Sequence, residues 1–511
     1  MTNNSPSGAI KLNQFDNVAV SITAMQKGEW LAIEHLMCND DIPMGHKIAI
    51  EHISRGNAIR KYNQIIGIAT HEIRRGDHVH THNCAMDEFD RDYAFCADVD
   101  RSARPKMAES RTFQGFIREN GKVGTRNYIG LVTSVNCSAS VARFIADAVE
   151  KRGVLANYPN VDGIVPIVHG TGCCMDASGE AYDTLRRTLW GYASHPNFGA
   201  ILMLGLGCEV MQIPKFMEDY NVNASDTFRV MTIQAGGGTG KTVDAGIDAV
   251  VEMLPVANSS KRRAVPVSEL TLALQCGGSD AYSGITANPA LGQAVDRLVG
   301  NGGTAILSET PEIYGAEHLL TRRALSEEVG EKLLQRIRWW KEYTSRNNME
   351  MNNNPTPGNK NGGLTTILEK SLGAVAKGGT SNLADVYLYG EPVRKKGFVF
   401  MDSPGFDPCS ITGQVASGAN VICFTTGRGS VYGFKPVPSI KLATNTPMYQ
   451  RMQEDMDINC GDIIDGNTSL QRKGEEIFDC IVSIASGDQS KSEALGFGDN
   501  EFVPWQTGAV M

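Results

Sequence analysis

The chain lacks the marks of several protein classes. No stretch of its 511 residues is rich in Lys and Arg, and the formal net charge is −9; together these argue against a nucleic-acid footprint or a polybasic membrane anchor. No apolar run approaches the ~20 residues needed to cross a bilayer. The N-terminus, MTNNSPSGAIKLNQ, has no apolar segment of the secretion-signal kind. A soluble, cytoplasmic protein with a small-molecule ligand is expected, without nucleic acid or membrane as partner and with a homo-oligomer left open. The 12 cysteines contain no compact Cys-x-x-Cys pair, so they are expected as reduced thiols available to a metal or a substrate, not as a disulfide framework. Internal repeats are absent too.

The length implies about three domains. Up to residue 83, short alternating apolar runs (VAVSI, KIAIEHI, IIGIA, HVHTHN) separated by Gly and Pro predict a small all-β module. Residues 84–112 carry mixed charge without period and read as a linker. From residue 113 onward, apolar strands alternate with amphipathic segments such as SVARFIADAVEKR, which predicts βα units on mostly parallel, Rossmann-like sheets. The polar stretch NNMEMNNNPTPGNKNGG suggests dividing this body near residue 350, into α/β domains over 113–350 and 351–511.

Four cysteines, Cys137, Cys173, Cys208 and Cys276, each follow a short apolar run, in YIGLVTSVNC, VDGIVPIVHGTGC, GAILMLGLGC and LTLALQCGGSD. Strand C-termini of a parallel sheet share one rim, where ligands bind, so the thiols are candidates for a shared metal or iron–sulfur site. The competing account is that small Cys and Gly residues let the backbone approach a substrate closely or simply pack well.

Seven of the ten histidines fall within the first 82 residues. His78, His80 and His82 alternate, so on an extended strand their imidazoles would share a face and offer metal ligands, one or two of them binding together with ligands from elsewhere in the chain; a solvated edge strand is the plainer alternative. In PMGHKIAI, His46 is a candidate base and Lys47 a candidate carboxylate anchor.

The segment AGGGTGKT nearly matches a phosphate-binding loop, with Ala235 in place of the first Gly and Lys241 and Thr242 as the would-be phosphate and magnesium contacts. No clear apolar strand ends in an Asp to hold the metal, so nucleotide hydrolysis is the lesser alternative.

Many motifs in fixed order resemble one family. QCGGSDAYSGITANPALG, NPTPGNKNGG, EKSLGAVAKGG, TTGRGSVYG, IKLATN, GLGCE, GKVGTRN, GHK and HVHTHN span almost the whole chain, and the set is similar to that of the altronate/galactarate dehydratases. The resemblance implies an N-terminal SAF-like β-module joined to a large α/β body. It also implies dehydration of a sugar acid to a 2-keto-3-deoxy acid with a divalent metal, Fe2+ first and Mn2+ second. The altronate branch is the closer match and the galactarate branch the runner-up.

Such a reaction removes a weakly acidic proton from C2 and expels hydroxide from C3, and therefore needs a base, an acid and concentrated positive charge. Arg428, Lys360 and Lys441 are candidates for the substrate carboxylate, with Ser279, Asn288 and Asn359 for hydroxyls. Asn and Ser in Gly-rich turns also serve the backbone alone. Asp280 is a candidate acid/base or metal ligand, with a helix N-cap as its structural alternative.

Overall fold

The computed structural model describes residues 8–32, 35–89, 91–100 and 111–508. The N-terminal module is all-β and antiparallel. One sheet runs Ala9–Ile10, Val18–Ser21, Lys47–Ala49, His78–Val79, and a second runs Ala58–Lys61, Gln64–Ala69, Cys84–Ala85. These strands are short because Gly and Asn turns interrupt the apolar runs every few residues.

Beyond the module, residues 91–100 run along the C-terminal body. Arg91 Nε donates to the Gly315 carbonyl at 3.0 Å, and Arg322 and Asp98 form an ion pair at 2.7 Å.

The body holds two parallel sheets. The smaller has the order Gly163–Ile167, Tyr128–Thr133, Phe198–Gly205, Phe228–Thr232. The larger has seven strands in the order Leu383–Tyr387, Gly397–Met401, Thr304–Leu307, Thr271–Cys276, Val421–Thr426, Ser439–Ala443, Ile458–Asn459. Its strands lie on both sides of residue 350, so the boundary expected there is not where the sheets divide. The division falls near residue 266, where Arg262–Pro266 pairs antiparallel with Thr112–Ile117 and closes off the smaller unit. The polar NNMEMNNNPTPGNKNGG stretch is a turn-rich segment within a sheet domain and not a domain junction, and loop composition alone does not separate the two cases.

Fully buried parallel strands need apolar residues on both faces, and here alternate residues serve different cores. Leu272 and Leu274 join a core shared with the N-terminal module, including Val18, Ile59 and Ile66. Ala273, between them, faces a second core shared with Val132, Ile167 and Tyr192 of the smaller sheet domain. Helices Gly179–Ala193 and Asp407–Ala416 lie between the two sheets, close enough that a Cβ on Gly191 would stand 2.3 Å from the Ala416 carbonyl oxygen.

In the large sheet, the strands Thr271–Cys276 and Val421–Thr426 are neighbours whose connections depart to opposite sides. This is a topological switch point, where the loops beyond the strand ends separate and leave a crevice. The QCGGSD and TTGRG segments therefore occupy the position at which open α/β sheets bind ligands.

Candidate active site at the module junction

The N-terminal module is docked onto the rim of the large sheet by a buried charge group. Lys47 Nζ donates to Glu369 Oε2 at 2.9 Å and to the Gly363 carbonyl at 2.6 Å, and Lys61 Nζ reaches Glu369 Oε1 at 2.9 Å. Glu369 also accepts from the backbone N–H and hydroxyl of Thr365, at 3.0 and 2.8 Å. Burial raises the cost of the Glu369 charge, but the two ammonium groups outweigh it and hold the carboxyl well below its ordinary range. Lys47 has no exposed side-chain surface, so it anchors the module and does not meet a substrate carboxylate.

Beside this anchor three imidazoles converge. His46 Nδ1 and His78 Nε2 are 3.0 Å apart, and the ring centroids of His46 and His80 are 4.5 Å apart. One ligand nitrogen from each of His46, His78 and His80 lies within 4.8 Å of the others. His46 Nε2 lies 3.3 Å from the Asn361 carbonyl, so the cluster touches the NPTPGNKNGG turn of the large domain.

The expectation of His78, His80 and His82 on one strand face is corrected. The strand is only His78–Val79, and the chain then turns because the Asn83 side chain bridges back: Nδ2 donates to the His78 carbonyl and Oδ1 accepts from the His80 N–H, both at 2.9 Å. His82 is exposed on that turn, its ring 5.3 Å from that of His78. The third imidazole of the group is that of His46, expected as the base.

Burial, together with neighbouring positive charge, lowers the pKa of all three clustered imidazoles, to about 4 for His78 and about 3 for His80. They are neutral at physiological pH, the form that binds a metal. His80 Nδ1 is buried without a hydrogen-bond partner, an orphan that a metal bond would satisfy. An imidazole set of this kind suits Fe2+, Mn2+ or Zn2+. Next to it opens a cleft of about 570 Å³ lined by Thr81, Cys84, Tyr314, Lys360 and Thr365, among others.

The crevice residues divide by what they touch. Asp280 accepts from the N–H groups of Tyr282 and Ser283 at 3.1 and 2.9 Å and from Thr444 and Asn445 side chains, which makes it the organiser of its turn. Burial still raises its pKa despite those bonds. Asn359 caps the short helix Pro357–Asn361 and donates to the Ser279 carbonyl at 2.8 Å, with Ser279 itself buried. Asn288 bridges the Gly373 carbonyl and the Thr425 hydroxyl at 2.9 and 2.7 Å. For Asn288 and Asn359 these contacts are structural support of the turns, whereas the helix N-cap offered for Asp280 is not seen, since the helix Ala287–Gly300 starts from Thr286. Lys441 stands mid-strand, its Nζ without a hydrogen-bond partner and 6.0 Å from the centre of the Phe497 ring, away from the rim. Arg428 is exposed at the crevice and Lys360 lines the cleft, so these two cations are free for a ligand.

The four strand-end cysteines do not form one group. Cys137, Cys173 and Cys208 are exposed on the rim of the small sheet, whereas Cys276 is buried in the large domain. Its Sγ is 2.9 Å from Lys377 Nζ and 3.5 Å from Glu312 Oε2, and Lys370 pairs with Glu312 at 2.8 Å. One atom from each of Cys276, Glu309 and Glu312 lies within 4.8 Å of the others, a second donor set able to hold a metal, although the two lysines already balance it. Burial pushes the Cys276 thiol up to about 12. Sequence reasoning missed this cluster, because Cys276, the SETPEI run with Glu309 and Glu312, and EKSLGAVAKGG with Lys370 and Lys377 are far apart in the chain and share no signal except the rarity of buried charge.

The phosphate-loop match is structural. Thr242 is buried and its hydroxyl donates to the Gly238 carbonyl at 2.8 Å, so it is not free to meet a magnesium ion. The strand before it, Phe228–Thr232, is the edge of the small sheet.

Comparison with known proteins agrees with the three-part architecture. Residues 7–87 match the altronate/galactarate dehydratase SAF domain, residues 115–258 the second domain of D-galactarate dehydratase/altronate hydrolase, and residues 267–510 the D-galactarate/altronate dehydratase C-terminal domain. The chain is 36% identical to altronate dehydratase of Bacillus subtilis (strain 168), over 98% of this chain and 99% of that protein. It is 35% identical to altronate dehydratase of Escherichia coli (strain K12), again over 98% and 99%. With galactarate dehydratase (L-threo-forming) of Escherichia coli (strain K12) the identity is 36%, over 94% and 92%. Matched along its whole length and in the same domain order, the chain belongs to the altronate/galactarate dehydratase family.

Proposed function

We propose that this hydro-lyase dehydrates a six-carbon sugar acid to its 2-keto-3-deoxy product, with D-altronate as the substrate and galactarate as the second reading. The altronate dehydratases of two organisms, matched over 98% of the chain, support the first; the 36% identity to galactarate dehydratase supports the second. The observation that carries the mechanism is the group His46, His78 and His80, brought by the N-terminal module to the Asn361 carbonyl of the large domain.

These three imidazoles would hold a divalent metal, Fe2+ first and Mn2+ second, which when bound would supply concentrated positive charge for the substrate carboxylate and adjacent hydroxyl. The chain does the rest. Lys360 in the cleft and Arg428 at the crevice orient carboxylate and hydroxyl groups through charge-assisted hydrogen bonds. His82, exposed beside the triad, receives the C2 proton, and the hydroxyl leaves from C3 with a proton returned from the same side chain or from water. Asp280, Asn288 and Asn359 keep the rim turns rigid, so that the polar groups meet the substrate with little reorganisation.

The test is a substrate panel. Purified anaerobically with ferrous iron or manganese, the protein should release a 2-keto acid from D-altronate faster than from galactarate and other hexonates and hexarates. No 2-keto acid from any member of the panel would refute the proposal.

A further inference from the structure

Among the described residues every exposed cysteine lies in one place. Cys137, Cys173, Cys174 and Cys208 are exposed, and all other cysteines are buried or half-buried. Cysteine is among the residues most often buried, and free thiols are disfavoured on surfaces. Packing therefore does not account for four of them on one rim.

The loops that carry them follow three adjacent strands, Gly163–Ile167, Tyr128–Thr133 and Phe198–Gly205, and they interlock. The Asn136 N–H donates to the Thr171 carbonyl at 3.0 Å, and the Val210 and Met211 N–H groups donate to the Gly172 carbonyl at 3.1 and 3.3 Å. Gly172 has φ +101°, and a Cβ there would stand 2.2 Å from the Ser134 carbonyl oxygen, so the middle loop is clamped against the first. Glu209, 3% exposed, clamps the third: its carboxylate accepts from the Ser134 hydroxyl and the Gly207 N–H, each at 2.6 Å. Cys137 lies two residues past Val135, which meets Gly172; Cys173 follows Gly172; and Cys208 precedes Glu209. Cys174, at φ +54°, is held in the left-handed region with its Sγ 4.0 Å from that of Cys173, a strained conformation of the kind that concentrates at functional sites.

Thiolates select soft metals and iron–sulfur clusters. A single zinc ion, with Zn–S bonds near 2.3 Å, needs its thiolates about 4 Å apart. No group of three of these sulfurs lies within 4.8 Å of one another, whereas the irons of a cluster hold their thiolates farther apart. We propose that Cys137, Cys173 and Cys208 bind a [4Fe–4S] cluster, three irons carrying one thiolate each and the fourth left without a protein ligand. Cys276, enclosed by Lys377 and Glu312 in the other domain, is not part of it.

The rim adjoins the large domain. Met175, two residues past Cys173, packs against the core that contains Met401 and Tyr432, and the Glu180 charge acts on Asp402. An iron without a protein ligand on a rim that adjoins this domain would serve as a Lewis acid for a sugar-acid oxygen. That role rests on the dehydratase reading; the binding of the cluster does not.

The experiment is anaerobic reconstitution of the full chain with equal amounts of ferrous and ferric iron and with sulfide, followed by desalting and assay of acid-labile sulfide, which a metal at the histidine group does not contribute. About four sulfides per chain are expected for a cluster of this type. Cys137→Ser, Cys173→Ser and Cys208→Ser should each lose at least three quarters of it, with thermal unfolding and circular dichroism reporting that the variants fold. Cys174→Ser, Cys276→Ser and His80→Ala should keep it. Absence of labile sulfide in the wild type, uptake of one zinc ion only, or equal loss in Cys276→Ser would overturn the proposal. Since no substrate is present, failure here is separable from failure of the sugar-acid panel.

Discussion

Gly363 meets Gly45 backbone to backbone: a Cβ on Gly363, which has φ +97°, would stand 2.4 Å from the Gly45 carbonyl oxygen. The contact lies one residue from His46 and at the carbonyl that Lys47 grips, so docking of the module and assembly of the imidazole group are one event. Gly363→Ala should lower kcat at least 100-fold, because a misplacement of about 1 Å can cost that much. Bound-metal analysis should show a parallel loss. Wild-type kcat and metal content in a folded Gly363→Ala protein would dissociate docking from the site.

The proposed mechanism assigns metal binding and proton transfer to different residues of the Asn83 turn. His80→Ala should lose bound metal and activity together, while His82→Ala should keep its metal and lose 10²- to 10⁴-fold in kcat, the usual range for a general base. Metal analysis by mass spectrometry beside steady-state kinetics decides it. Loss of metal in His82→Ala would place that side chain among the ligands.

Glu369 is the shared counter-charge of Lys47 and Lys61. Glu369→Gln leaves two buried ammonium groups without a carboxylate and should destabilise the protein by about 3–5 kcal/mol, seen as a fall in the urea midpoint. A loss below about 1 kcal/mol, the range of exposed pairs, would mean that the charges are not dry.

Asp407 is pushed up from 3.8 to about 7 by burial, with Glu312 adding repulsion. Its folded pKa is raised, so the associated stability is fully present below about pH 4 and is lost as pH rises through about 7. Asp407→Asn removes the titration. The variant should match wild type near pH 4 and exceed it at pH 8, measured as unfolding free energy against pH; parallel curves would contradict this.

The β-module and the alternation of strands and helices were legible because burial imposes period 2 on strands, and period 3.6 on helices, locally in the chain. The family resemblance was legible because motifs keep their order. His46 and His78 were both visible as candidates, but not as partners, since their contact at 3.0 Å depends on pairing between Lys47–Ala49 and His78–Val79. The expected face of three histidines failed on one side chain, Asn83, which prefers bonding to nearby backbone over continuing a strand. Asn288 and Asn359 show the converse: their residue types fit sugar recognition, and their hydrogen bonds go to carbonyls, the Thr425 hydroxyl and a helix cap.

Thr112–Ile117 and Arg262–Pro266 bring the chain into and out of the small-sheet unit side by side, with Phe116 paired to Arg262. Such a unit is a graft, and a short linker from Ile117 to Arg262 would bypass it without stretching the host. Solvation says otherwise. Ala273, Ile306, Val399 and Phe424 of the large sheet are covered by the same core as Val132 and Tyr192 of the graft, so its excision would wet one whole face of the host. The chain is therefore divisible by connectivity and indivisible by water, and any truncation meant to isolate the large-sheet part must first make that face polar.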